Sequence, residues 1–153
     1  VPSQYISFCR SQSSTSGNLN AQIDIATAAS TIVEIVRVRV CHSVPGSDCG
    51  RVVFCRKSAI GAGSIAGTIV KKDPLDAAST CTATKKNGAN NYAVGTITDT
   101  LDEIQFNARG QMQWEAIDDD DKIIVESGGI FGINLASQTG DLEYVATIEW
   151  KEL

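Results

Sequence analysis

The residue types able to do chemistry in this chain are few, and their spacing decides most of what they can do. The single histidine, His42, stands beside Cys41, and the five cysteines are Cys9, Cys41, Cys49, Cys55 and Cys81. Cys41, Cys49 and Cys55 are spaced C-x7-C-x5-C, whereas structural zinc sites usually space paired ligands about two to four residues apart. A zinc site from His42 and nearby cysteines is therefore a weaker reading than reduced cysteines acting as small apolar residues in strands. A disulfide from Cys41 to Cys49 or Cys55 is a further alternative that spacing does not decide. A nucleophilic triad would have to use His42, and no G-x-S-x-G elbow accompanies it.

Asp118 to Asp121 is the densest run of carboxylates. Calcium favours several carboxylate oxygens, but the run lacks the alternating ligands and the glycine of an EF-hand loop, so a solvated turn between strands is the plainer account. Residues 58–68 (SAIGAGSIAGT) are glycine-rich. They lack a phosphate-loop signature and precede no helix, so they read as a loop or weak strand. A carboxylate pair for glycoside hydrolysis would assemble only in space, and nothing marks one. Trp114 and Trp150 fall on apolar strand faces, which suits core or interface packing better than a sugar-stacking platform. The expectation is a protein that is not an enzyme, with no catalytic residue, cofactor or metal ligand.

Arg37, Arg39, Arg51, Arg56 and Lys57 form a more useful set. If residues 32–41 pair with 51–57, their outward faces make a basic patch. That patch is either an ordinary solvated strand face or a contact for an acidic partner, such as a neighbouring copy's acidic half. Tyr5, Phe8 and Arg10, in the N-terminal segment, are the remaining candidate partner contacts.

The elements that must position these residues are strands. Hydrophobic residues make up 42% of 153 residues and aromatics only 6%, so a single domain with an aliphatic core is expected. Residues 1–72 carry eight Lys/Arg against three Asp/Glu, and residues 73–153 five against fifteen. The net charge of −5 argues against a dedicated nucleic-acid binder. No apolar run approaches the roughly 20 residues of a membrane span. The beginning Val-Pro-Ser-Gln lacks the basic and apolar regions of a signal peptide, so assembly in a cytoplasm is expected.

Val36, Val38 and Val40 alternate with Arg37, Arg39 and Cys41, the period of a half-buried strand. Val52 and Phe54 share a face, and the two segments read as a hairpin tipped by the loop His42 to Gly50. Gln4 to Cys9 is a candidate short strand. The polar tract Ser11 to Asn20 reads as a linker, making residues 1–20 an N-terminal arm and 21–153 the domain. Ile23 and Ile25 flank Asp24 in a further strand. Asp73 to Ser79 is the best candidate for a helical turn, Thr80 to Thr84 a strand, and Lys85 to Asn91 (KKNGANN) a surface turn. Ile104, Phe106 and Ala108, then Met112, Trp114 and Ala116, suggest a tight hairpin about Arg109-Gly110. Lys122 to Glu126 is another strand, and Phe131, Ile133 and Leu135 mark the next. Gln138 to Asp141 is a turn, and Leu142, Tyr144, Ala146, Ile148 and Trp150 form one face of a closing strand. Many short strands with no helical period predict an all-β, antiparallel sandwich.

The segments Val33 to Val40, Arg51 to Ala59, Lys72 to Ala78, Phe106 to Gly110, Gly128 to Ile133 and Ala146 to Glu152, in this order, resemble small virion structural proteins of tailed bacteriophages. The resemblance covers roughly residues 30–153. It implies a jelly-roll sandwich of the capsid cement (decoration) type: a homotrimer on the capsid surface that binds the major capsid protein, without direct contact to nucleic acid or membrane. The first 20 residues do not follow the pattern.

Overall fold

A computed structural model describes residues 2–12, 19–42, 49–88, 90–107, 110–137 and 143–153. The strands are β1 (Gln4–Gln12), β2 (Asn20–Ala26), β3 (Val33–His42), β4 (Cys49–Ala59), β5 (Ser64–Ala66), β6 (Val70–Lys71), β7 (Thr82–Lys86), β8 (Thr96–Asn107), β9 (Gln111–Glu115), β10 (Ile123–Val125), β11 (Ile130–Ser137) and β12 (Glu143–Glu152). They form two antiparallel sheets packed as a sandwich. Sheet A runs β10-β3-β12-β1-β6, with β9 beside β10 on the same edge of β3. Sheet B runs β5-β7-β2-β11-β4-β8. No helix among the described residues is long and apolar enough to cross a membrane.

Strand alternation puts one row of each strand between the sheets. Sheet A contributes Val33, Ile35, Val38, Val40, Tyr144, Ala146, Ile148 and Trp150; sheet B contributes Ile23, Ile25, Val52, Phe54, Phe131, Ile133 and Leu135. All are at most 1% exposed. In β3 the period slips between Ile35 and Val38. The register against β12 shifts there, from Arg37↔Glu149 to Ile35↔Trp150, so Val36 is the extra residue of a bulge. The bulge keeps apolar residues inward on both sides of it.

Four expectations are corrected. β3 and β4 do not form a hairpin: β3 pairs with β12, β9 and β10, while β4 pairs with β11 and β8 in the other sheet. β8 and β9 likewise part, β8 to β4 and β9 to β3. Alternation fixes which way a strand faces but not which neighbour it takes. The N-terminal segment is not an arm over residues 4–12, because β1 lies inside sheet A between β12 and β6. Its inward row, Tyr5, Ser7, Cys9 and Ser11, is buried. The serines hid this strand, and they tolerate burial because each is hydrogen-bonded. Ser7 Oγ donates to the Thr68 carbonyl at 2.7 Å, and Ser11 Oγ to Gln22 Oε1. Finally, Asp73 to Asp76 makes only a turn, closed by Asp76 N–H to the Asp73 carbonyl. The helical turn, of 3-10 type, is Asp119–Asp121.

Residues 13–18 of the polar tract, 43–48 of the tip loop, 108–109 of the expected hairpin turn and the 138–141 turn lie outside the described residues.

Candidate functional site

The outward face of sheet A carries the first part of the proposed basic set. Arg37 and Arg39 project from β3 on the side opposite the inward valines, but neither offers an unopposed charge. Arg37 lies 3.0 Å from Glu115 of β9 and 3.7 Å from Glu149 of β12. Arg39 lies 3.3 Å and Lys72 3.0 Å from the same Glu149, whose side chain is only 6% exposed. Lys122 and Lys151 converge in the same way on Glu34, at 3.6 and 3.5 Å. The Arg37 hydrogen bond, chiefly, holds the Glu115 carboxyl below its usual range and the guanidinium above its own. Arg10 pairs with Glu143 at 2.5 Å. Beside it Phe8 is 52% exposed, the largest aromatic surface this face presents. Tyr5 is corrected as a partner contact: it points inward, stacks obliquely on Trp150 at 5.9 Å between centroids, and its hydroxyl donates to the Ala77 carbonyl.

Sheet B holds the rest of the set, so the five basic residues do not form one patch. Arg51 faces Glu103 of β8 at 3.5 Å. Arg56 reaches across the end of the sandwich, and its Nε and Nη2 donate to the Ile124 carbonyl of β10 at 3.3 and 3.0 Å. It lines a cleft there with Thr98, Asp99 and Glu126. Lys57 is not a surface residue at all. Its side chain is 0% exposed, and its ammonium lies 2.8 Å from Asp24, itself 0% exposed.

That pair belongs to a polar cluster on the face of sheet B turned away from the core. Asp24 of β2 and Gly132 of β11 are cross-strand partners, as are Gly132 and Cys55 of β4. Lys57 Nζ donates to Asn134 Oδ1 at 3.0 Å, and Asn134 Nδ2 donates to Cys55 Sγ at 3.0 Å. The Tyr92 hydroxyl donates to Asp24 Oδ2 and lies 2.9 Å from Thr84 Oγ1. Tyr92 arrives on a segment pinned to the sheet: the Tyr92 carbonyl accepts from Ala21 N–H, and Ala93 N–H donates to the Ala62 carbonyl. Gly95, at φ +81°, permits the close approach, since a Cβ there would fall 2.2 Å from the Ala59 carbonyl oxygen. Gly132 is required for a different reason. A Cβ would sit 2.2 Å from Asp24 Oδ1 and 2.6 Å from Lys57 Cε.

Burial pushes the Asp24 carboxyl up, against the opposing pull of Lys57 and the hydrogen bonds from Lys57 and Tyr92. Burial, reinforced by the Asp24 charge, pushes the Tyr92 phenol up as well. The Cys55 thiol is raised mainly by burial. An amine, a carboxamide and a carboxyl group thus meet where solvent does not reach. Periodicity does not find this cluster. Asp24 between Ile23 and Ile25, and Asn134 between Ile133 and Leu135, read as ordinary outward residues, and the segment that covers them has no period of its own.

The remaining candidates have plainer roles. Trp150 is fully buried, and Trp114 packs edge-on to Phe54 at 6.2 Å, so neither is a free sugar platform. Asp118 caps the acidic turn, its carboxylate accepting from Asp120 N–H and Asp121 N–H. His42 stacks obliquely on Tyr144 at 4.3 Å between ring centroids. Cys9, Cys41, Cys55 and Cys81 are free thiols, which corrects a Cys41–Cys55 disulfide. Burial, then the Glu152 carboxylate, pushes the Cys81 thiol up to about 12. Among the described residues no group of three His, Cys, Asp or Glu side chains is arranged to hold a metal ion. Comparison with family models, with curated proteins and with solved structures finds no match to the chain.

Proposed function

We propose that the chain is a virion structural protein of the capsid cement or decoration type, a homotrimer that binds the major capsid protein at the particle surface. The supporting observation is strand order. β1-β12-β3-β9 faces β2-β11-β4-β8, and the consecutive pairs β1/β2, β3/β4, β8/β9 and β11/β12 each divide between the sheets. This order favours a jelly-roll reading, and jelly rolls serve viral capsids as well as lectins. The step from fold to role is one of analogy. The two tryptophans, buried or edge-packed, favour the capsid side of it. A cement needs contact area and repeated weak contacts rather than chemistry, because a trimer multiplies them through effective concentration. Phe8, half exposed among side chains able to exchange ion-pair partners, is the surface best suited to such a contact.

Light scattering on the purified chain, followed by co-sedimentation with capsids of the virus that encodes it, tests the reading. A trimer that sediments with capsids, and a folded Phe8→Asp variant that does not, are expected. A chain that stays monomeric and leaves capsids bare would overturn the proposal. Few copies per particle would instead favour a head fibre, a neck or tail component, or a minor capsid protein.

A further inference from the structure

The geometry points to a covalent self-modification: an amide (isopeptide) bond between Lys57 Nζ and Asn134 Cγ, joining β4 to β11, with Asp24 as the proton carrier. Lys57, the nucleophile of such a reaction, lies within hydrogen-bond reach of both of the other side chains. Lys57 Nζ is 3.0 Å from Asn134 Oδ1 and 2.8 Å from Asp24 Oδ1. All three residues are no more than 3% exposed. The carboxamide is oriented by chemistry, because an amine or ammonium on Lys57 donates and so must meet the carbonyl oxygen. That leaves Nδ2, the leaving nitrogen, on Cys55 Sγ. The approach depends on Gly132, whose hydrogen leaves room for Lys57 Cε and the Asp24 carboxylate together.

The dry setting drives the first step. A carboxylate loses its hydration on burial, and the neutral acid is correspondingly favoured. Burial shifts Asp24 in the required direction. Asp24 takes a proton from Lys57, and the freed lone pair on Nζ attacks Asn134 Cγ. The carbonyl π electrons move to Oδ1 to give a tetrahedral adduct. Asp24 passes its proton to Nδ2 and receives the second proton of Nζ. The Cγ–Nδ2 bond breaks as the carbonyl re-forms, and ammonia leaves. One primary amine and one primary carboxamide become one secondary amide and one ammonia; nothing is oxidised or reduced. Fixing the partners makes the attack unimolecular, and excluding water removes the competing hydrolysis.

A stable ion pair alone would account for Asp24 and Lys57. It does not account for a buried carboxamide whose carbonyl is held on the lysine and whose amide nitrogen is held away from it. The bond would close a chain loop containing β5 to β10, shrinking the unfolded ensemble. It concerns the interior of sheet B and stands apart from the capsid reading.

Mass spectrometry of the denatured full chain tests it. The wild-type protein should lack the mass of one ammonia. Asn87-Gly88 can also lose ammonia by ring closure, so a protease digest must yield a branched peptide joining Lys57 to Asn134. The branch should vanish in Lys57→Arg, Asn134→Ala and Asp24→Ala. Linear peptides carrying unmodified Lys57 and Asn134 from folded wild-type protein would overturn the proposal, whether or not the variants fold. A complete branch in folded Asp24→Ala would overturn the role given to Asp24.

Discussion

The outward faces of the two sheets use the same ingredients to opposite ends. On sheet A, Arg37, Arg39 and Lys72 share Glu149 at the surface, with side chains 31%, 44% and 41% exposed. On sheet B, Lys57 and Asp24 make one pair at 0% exposure. Ion pairs in water contribute little, because hydration and side-chain entropy offset the attraction. A buried pair loses hydration on both members, and breaking it strands a charge. The lesson is that covering, rather than residue type, decides which charges matter. The segment carrying Tyr92 turns an outward row into a closed site. The open face of sheet A remains a place where ion pairs can change partners.

Removing β1 should have the largest effect. Deleting residues 2–12 takes an inner strand and Tyr5 out of sheet A, so folding should be abolished, as circular dichroism would register. A folded truncation would restore the arm reading. Next comes Lys57→Met, which leaves Asp24 and Asn134 Oδ1 buried without the nitrogen that meets them and should cost about 3–5 kcal/mol in denaturant unfolding. Gly132→Ala should cost about 1–3 kcal/mol through overpacking, since its Cβ has no room between Asp24 and Lys57.

The two faces should also respond to pH in opposite directions. Asp24 is raised by burial, so it favours folding most below its unfolded pKa, and that contribution is lost as pH rises through the raised value. Glu115 is lowered by Arg37, so its contribution is present above its unfolded pKa and is lost as pH falls through the lowered value. Carboxyl-carbon NMR titration should find Glu115 below the ordinary range and Asp24 above it. Equal titration midpoints would erase the contrast. The smallest effect belongs to Arg39→Ala, which should change stability by less than about 1 kcal/mol. A larger loss would show that the sheet A lattice is structural in its own right.

How much of this was legible depended on which property of a strand was asked for. Facing was legible. The inward rows Val38/Val40, Phe131/Ile133/Leu135 and Tyr144/Ala146/Ile148/Trp150 lie where alternation puts them. Pairing was not, because a period of two is silent about neighbours, and both expected hairpins divide between the sheets. β1 was half legible: its polar inward serines depend on Thr68 and Gln22, which are distant in the chain. The first half of β8 escaped notice because this edge strand is largely exposed and has no buried row to mark it. The closed site was the least legible, since its burial comes from a covering segment rather than from Asp24, Lys57 or Asn134 themselves.

The most direct measurement is NMR of the folded chain labelled with nitrogen-15 in its lysine side chains. The cross-link requires that Lys57 Nζ carry one proton, resonate as an amide, and correlate through bonds with the Asn134 side-chain carbonyl. An ordinary ammonium or amine at Lys57 in the folded protein would contradict it.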